Sequence, residues 1–313
     1  MNRLILILLA AIAAAVALAV ALGESPLSAV QFGQAFADPA SGPAEVLWEV
    51  RAPRAVTALL VGAALGLAGA VMQGLLRNPL ADPGVLGVSA VAALGAATAI
   101  VGGAAAIPGA VEVSALCGAG GAGGLLILFG VALSSFAGAA TALIFNLSPS
   151  PIASAEVMSW LLGSVQNRSW VDVLWVAPVL ALSAGLSALA APGLKMLSLG
   201  EETARTSGLP MARLRLLALL AAALATGAAV AVSGVIGFVG LAAPHLVRAA
   251  VRGDPARLLA PAALTGGLML AGADLLARIT PTDQELKLGV FTALVGAPLF
   301  ALIAWRAARE WRL

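Results

Sequence analysis

The chain has 313 residues, 61% hydrophobic and 10% charged, with a formal net charge of +2. Soluble domains carry about 25% charged residues, so the composition excludes an ordinary soluble domain, and with no long basic run it excludes a nucleic-acid binder. One cysteine, Cys117, and one histidine, His245, exclude an intrachain disulfide framework and any Cys- or His-cluster metal site. Neither lysine, Lys195 or Lys287, follows a glycine as a phosphate-binding loop requires, so the chain has no Walker-type ATP site of its own.

Apolar runs of about 20 residues cross the bilayer's hydrocarbon core. Every backbone polar group must be paired inside lipid, so such runs become helices. No alternation of period two supports a barrel. The first run, 4–22, follows Arg3. It resembles a signal peptide, but it exceeds the usual apolar region of about 7–15 residues, and a retained first helix is preferred. The second, 55–76, carries Gly62, Gly66, Ala70 and Gly74 four apart, one small-residue face suited to close helix packing rather than to lining a path. Arg77-Asn78-Pro79-Leu80-Ala81-Asp82-Pro83 follows. Its prolines force a turn, and Asn78 and Asp82 are placed to bond freed backbone groups. Further runs lie at 86–105, 125–146, 171–191, 258–277 and 288–305, with a weak, glycine-rich one at 107–124 that contains Glu112. Leu216–Val247 holds 32 residues without a charge. As one helix it would reach about 48 Å, so it is expected to break near Ser233-Gly234 into runs 214–232 and 234–247.

Orientation follows the excess of Lys and Arg in cytoplasmic segments. Arg3, Arg77, the segments 192–215 and 248–257, and the C-terminus with Arg306, Arg309 and Arg312 are assigned inside. That places 12 basic and 5 acidic residues inside, against 5 basic and 10 acidic outside. Arg77 and Lys195 then require an even number of crossings between them, so 107–124 is expected to cross. The total is ten helices in a single transmembrane domain, 1–313, with both termini cytoplasmic. Trp48, Trp160, Trp170, Trp175, Trp305 and Trp311 mostly flank the runs and read as interfacial anchors.

The motifs carry a family resemblance. Gln73 with RNPLADP (Arg77, Asn78, Pro79, Asp82, Pro83) and LGVS (Gly87) is similar to the signature of permease subunits of ABC importers for iron-siderophores, haem and vitamin B12. Trp160-Leu161-Leu162-Gly163-Ser164, Gly237-Phe238-Val239-Gly240-Leu241 with Pro244, His245 and Arg248, Ala273-Asp274 with Arg278, and Glu285-Leu286 with Gly289 and Gly296-Ala297-Pro298 resemble further elements of that family, in order over about 45–305. Two departures stand out: 106–124 is shorter than the family's fourth helix and its loop, and Lys287 replaces the usual proline after Glu-Leu, a change that could alter docking of a partner outside.

The resemblance implies an all-α, polytopic permease of about ten transmembrane helices in the bacterial inner membrane, of the type II importer kind. It implies a homodimer around a central path, two ABC ATPase subunits that bind ATP and magnesium, and an extracytoplasmic substrate-binding protein. This chain itself would hold no cofactor. Glu202-x-Ala204-x-x-x-Gly208 is similar to the E-A-A-x-x-x-G coupling motif. Glu201, Glu202, Ala204, Arg205, Gly208 and Pro210 are the candidate ATPase-coupling residues, because acidic residues favour a helix start, Gly208 can end that helix and Pro210 can open the next. The resemblance assigns Arg51, Arg54 and Arg278 to binding-protein docking on the outer face. His245 and Asp274 lie near predicted helix ends and are read as structural. The competing class, an ion-coupled secondary transporter, needs an intramembrane carboxylate near the midplane, and none sits centrally in a strong run. A membrane enzyme would need a cluster of nucleophile, base and metal ligands that this sequence lacks.

Overall fold

The structure, a computed structural model, describes residues 2–23, 26–104, 107, 109–122, 127–148, 150–280 and 286–310. All secondary structure among the described residues is helical. A helix stands at each of the ten apolar runs: α1 (Asn2–Ala21), α4 (Ala52–Leu76), α5 (Val88–Val101), α6 (Ala110–Ala122), α7 (Ile127–Asn146), α9 (Trp170–Leu197), α11 (Met211–Ser233), α12 (Val239–Arg248), α13 (Pro255–Ile279) and α14 (Leu288–Glu310). Among the described residues, five helical runs have both the length and the hydropathy to span a bilayer alone: α1, Gly42–Leu76, α9, α11 and α13. The weak run 107–124 does form a helix, but at 13 residues α6 is short. The expected break falls at Ser233-Gly234, where Gly234 takes a φ of +70° that other residues resist.

Four short helices have no counterpart among the ten runs. α2 (Ala29–Ala37) begins with a capping box in which the Ser28 hydroxyl accepts from Gln31 N and the Gln31 side chain accepts from Ser28 N. α3 (Gly42–Glu45) runs through a wide π-type turn, Val46–Arg51, into α4. α8 (Pro151–Leu161) starts on a Ser150 cap with proline in its first turn. α10 (Glu201–Thr206) lies in the loop between α9 and α11.

α4, α11 and α13 form the centre, with most of their apolar windows buried, whereas those of α1 and α9 stay largely exposed. α4 crosses α13 without an intervening side-chain layer. A methyl group added to Gly62 would overlap the Gly266 carbonyl, one on Gly66 would overlap that of Ala262, and one on Gly266 would overlap that of Gly62. Small residues at membrane interfaces permit this backbone approach, which brings dispersion contacts that lipid cannot match. The small face of α4 therefore serves packing, as expected. Its last member, Gly74, meets Pro255 and Leu194 only at ordinary contact distance. α11 buries Ala218, Ala222, Ala223, Ala225 and Ala229 against the same centre.

Of the expected interfacial tryptophans, Trp48, Trp170, Trp175 and Trp305 are exposed, while Trp160 packs partly buried against the core. Trp170 Nε1 donates to the Trp48 carbonyl at 2.8 Å, and the Trp48 ring meets Phe36 edge-on at 5.6 Å. Trp311, Arg312 and Glu285 lie outside the described residues.

Candidate functional site

The surface formed by 199–215 is built from α9, α10 and α11. Gly200, with φ +115°, turns the chain out of α9, and α10 follows with Glu201 and Glu202 in its first turn. Gly208, with φ +82°, ends α10, where Gly208 N donates to Arg205 O and Leu209 N to Ala204 O, both at 3.0 Å. Pro210 then leads into α11. Ala204 is fully buried and belongs to the same core as Leu197 and Leu214, so α10 is held against the body by its inner face. Glu202, Arg205, Gly208 and Pro210 stay exposed.

Glu201 ties α10 to α11. Its carboxylate accepts from Arg205 at 2.7 Å and from Arg215 at 2.9 Å. The Arg205 hydrogen bond, with the charges of Arg205, Arg215 and Arg77, holds the Glu201 carboxyl below its ordinary value against a smaller opposing effect of burial. It therefore stays ionised at neutral pH. Arg215, absent from the candidate set, completes this clamp. Its carboxylate-to-guanidinium contact spans 14 positions, a spacing that no local motif reveals.

The proline turn behaves as expected. Asn78 Oδ1 accepts from Leu80 N at 2.9 Å and Asp82 Oδ1 from Gly84 N at 2.7 Å. Burial pushes the Asp82 carboxyl up, and the Gly84 N–H partly opposes that. Arg77 sits at φ +49° and closes α4. Pro79 is exposed, while Pro83 and Gly87 are buried, with Gly87 at φ +77°. Gln73, 2% exposed, donates to the Leu241 carbonyl at 3.3 Å and accepts from Arg248 Nη2. A methyl on Gly69 would overlap the Gly240 carbonyl, and one on Gly240 would stand 3.0 Å from Pro83 Cδ. The Gln73 and Gly240–Arg248 motifs, far apart in sequence, thus join α4 to α12 at this end of the molecule. Pro244 is buried within α12, and His245 lies half-buried on its last turn. Gln73→Leu removes both hydrogen-bonding roles and leaves Arg248 without that acceptor. It is expected to cost about 1–3 kcal/mol, measured as thermal unfolding in detergent.

The opposite end departs from expectation. Arg51, Arg54 and Arg278 are expected as docking charges on the outer face, and Asp274 as a structural residue near a helix end. Instead the three arginines are 5%, 8% and 7% exposed and Asp274 is fully buried. Asp274 Oδ1 accepts from Arg54 Nε at 3.0 Å and Nη2 at 2.7 Å, and Asp274 Oδ2 lies 2.6 Å from Arg278 Nη2. Arg51 Nη1 donates to the Val20 and Ala21 carbonyls at 3.1 and 2.7 Å, and Arg278 Nη1 to the Ala19 carbonyl at 3.0 Å. The physical reason is the carbonyl end of α1. Its last C=O groups have no partner within the helix and carry the negative end of its dipole, so they and one carboxylate draw the guanidiniums inward.

Nearby, Arg168 bridges Asp172 at 3.1 Å and Glu112 at 3.6 Å. Lys287 Nζ donates to Gln166 Oε1 at 3.4 Å, which ties the start of α14 to the loop after α8. The carboxylates Glu112 and Asp274 are both engaged by arginine. No cluster of three or more His, Cys, Asp or Glu suited to a metal occurs among the described residues.

Two apolar grooves run along one flank and meet at Leu161 and Val235. One, of about 650 Å³, includes Gly289, Leu294 and Pro298. The other, of about 580 Å³, includes Ser89, Ser134 and Thr141. Ser134 and Thr141 donate to carbonyls of their own helix, so they add little polarity to the wall.

The helix inventory and these motif contacts agree with a family comparison: the FecCD transport family model matches residues 7–306. The chain belongs to the FecCD transport family. It is 39% identical over 270 residues to the cobalamin import system permease protein BtuC of Halobacterium salinarum, covering 82% of this chain and 72% of that protein. It is 39% identical over 277 residues to the Fe(3+) dicitrate transport system permease protein FecD of Escherichia coli, covering 83% and 85%. A solved structure described as an inward-facing conformation of a metal-chelate type ABC transporter superposes with a TM-score of 0.87 at 32% identity, covering 98% of this chain and all of that one. Membership of this family identifies the chain as a multi-pass transport permease, and it bears out the all-α architecture expected from the sequence.

Proposed function

We propose that this FecCD-family chain forms the membrane path of an ABC importer for a metal chelate, a ferric siderophore in the first instance, with haem and cobalamin as the other ligand classes. A separate ATPase pair supplies the energy. The observation that carries this reading is α10: a short exposed helix fixed by buried Ala204 and clamped to α11 through Glu201, Arg205 and Arg215. Such an element moves as a lever with its helix, so closure of an ATPase groove around it would be passed to α9 and α11. The excess of basic residues around it supports a cytoplasmic position for this face, and the same bias at both termini supports their lying inside. The opposite face, carrying Arg51, Arg54 and Arg278, would receive the substrate-binding protein. Their burial gives them a positioning role there, holding α1 and α4 under the docking surface.

A second copy of the chain would close the grooves that meet at Leu161 and Val235 into a path. Apolar walls suit a large chelate because they offer no strong site at which it would be trapped.

The test is uptake into vesicles that contain the permease, its cognate ATPase and the binding protein, offering each ligand class in turn. ATP-dependent accumulation of one class is expected, and solute movement down an ion gradient without the ATPase would sink the reading. Glu202→Arg, on the exposed face of α10, is expected to weaken ATPase association on the order of tenfold. Its thermal unfolding should stay within about 0.5 kcal/mol of the unsubstituted chain. Association assays and calorimetry separate the two effects.

A further inference from the structure

The last turn of α9 and the corner before α13 enclose a groove of about 430 Å³. Its walls include Pro192, Met196 and Leu199 on one side and Arg252, Gly253 and Pro255 on the other, with Lys195 and Asp254 facing each other across it. The Lys195 side chain is 63% exposed, and its Nζ lies 3.8 Å from Asp254 Oδ2. Asp254 Oδ1 is already spent on the Ala256 and Arg257 amides, and Arg257 Nε stands 3.5 Å from Oδ2. Lys195 and Arg257 therefore share one carboxylate, and Arg252 adds a further cation to the lining, which leaves the groove positive. The Ser198 hydroxyl donates to Lys195 O and keeps its lone pairs for another donor.

Depth in the bilayer identifies the occupant. α9 has 28 residues, about 42 Å at 1.5 Å per residue. The hydrocarbon core is about 30 Å thick, and roughly 40–45 Å with the headgroups. An end turn of α9 thus lies at headgroup level. Leu189, exposed on α9 two turns before Met196, continues the apolar wall into the acyl region. Basic pockets between helices at this depth match acidic lipid headgroups.

We infer that this groove binds an acidic phospholipid, its phosphate held by Lys195 and Arg252 and one acyl chain lying along Leu189, Pro192 and Met196. The inference rests on the membrane embedding proposed above, but not on the ATPase or the cargo. Its test needs neither of them.

The full chain in detergent micelles is loaded with fluorescent phosphatidylglycerol or phosphatidylcholine, and retention is measured for the unsubstituted protein and for Lys195→Gln/Arg252→Gln. The double variant is expected to hold phosphatidylglycerol on the order of 30-fold more weakly, with phosphatidylcholine and thermal unfolding unchanged. Equal retention of the two lipids by the unsubstituted chain, or undiminished phosphatidylglycerol binding by the variant, would overturn the inference. Displacement by millimolar inorganic phosphate would replace the lipid with a soluble phosphate ligand. Displacement by the ATPase subunit would turn the groove into a protein-docking surface. Absence of ATP-dependent uptake by the unsubstituted chain, with its lipid retention intact, would count against the transport reading alone.

Discussion

Asp274→Asn is expected to lower the unfolding free energy by about 3–5 kcal/mol, the cost of stripping one partner from a buried ionic cluster. The carboxylate is fully buried and is a counter-charge for Arg54 and Arg278. Asparagine keeps the shape and one acceptor, so the loss isolates the charge. Arg54 and Arg278 then lose a carboxylate partner at a buried site, where weaker neutralisation of a cation is costly. The damage should spread to α1, because Arg278 also donates to the Ala19 carbonyl. Thermal unfolding in detergent measures the stability, and proteolysis after α1 measures its release. Asp274→Glu retains the charge and should recover part of the loss. If Asp274→Asn unfolds like the unsubstituted chain, the cluster contributes nothing and the arginines are satisfied elsewhere.

The second large effect belongs to the crossing of α4 and α13. Gly266→Ala introduces a methyl group where the Gly62 carbonyl already sits. Neither neighbour is a side chain that could rotate away, so the two backbones must part. About 1–3 kcal/mol is expected for the overpacking, and Gly266→Leu should prevent the chain from folding. Gly272 on the same helix provides the control, since a methyl there meets nothing within 4 Å. Gly272→Ala should be neutral or stabilising, because alanine is the better helix former by about 1 kcal/mol. Unfolding midpoints of the two alanine variants give the comparison directly. Equal midpoints would show that the crossing tolerates separation.

The sequence was most legible where lipid imposes one rule on long stretches. Each of the ten apolar runs became a helix because a long apolar run in lipid has no other way to satisfy its backbone. The Ser233-Gly234 break and the Asn78 and Asp82 caps were legible for a local reason, since each needs only residues close in sequence. The short helices α2, α3 and α8 fell below the length that a bilayer-scale window detects, although each starts on a serine cap, Ser28, Ser41 and Ser150. The partners of the charged end were not legible because its chemistry is tertiary. Arg54 and Asp274 are 220 positions apart, and the partners of Arg51 are main-chain carbonyls that carry no side-chain signature. Lys287 stood out as a departure from the family pattern, yet nothing near it in sequence pointed to Gln166.

The glycine seam between α4 and α13 also limits how this molecule can move. Interdigitated side chains can ratchet past one another by changing rotamers, but two main chains in direct apposition have no such gear to shift. The pair can pivot about its point of contact and cannot slide along it. A rearrangement that admits and releases cargo would then turn about this pair as a fixed post, with travel in the lever helices α9 and α11 and in α8 and α14, which border the apolar grooves.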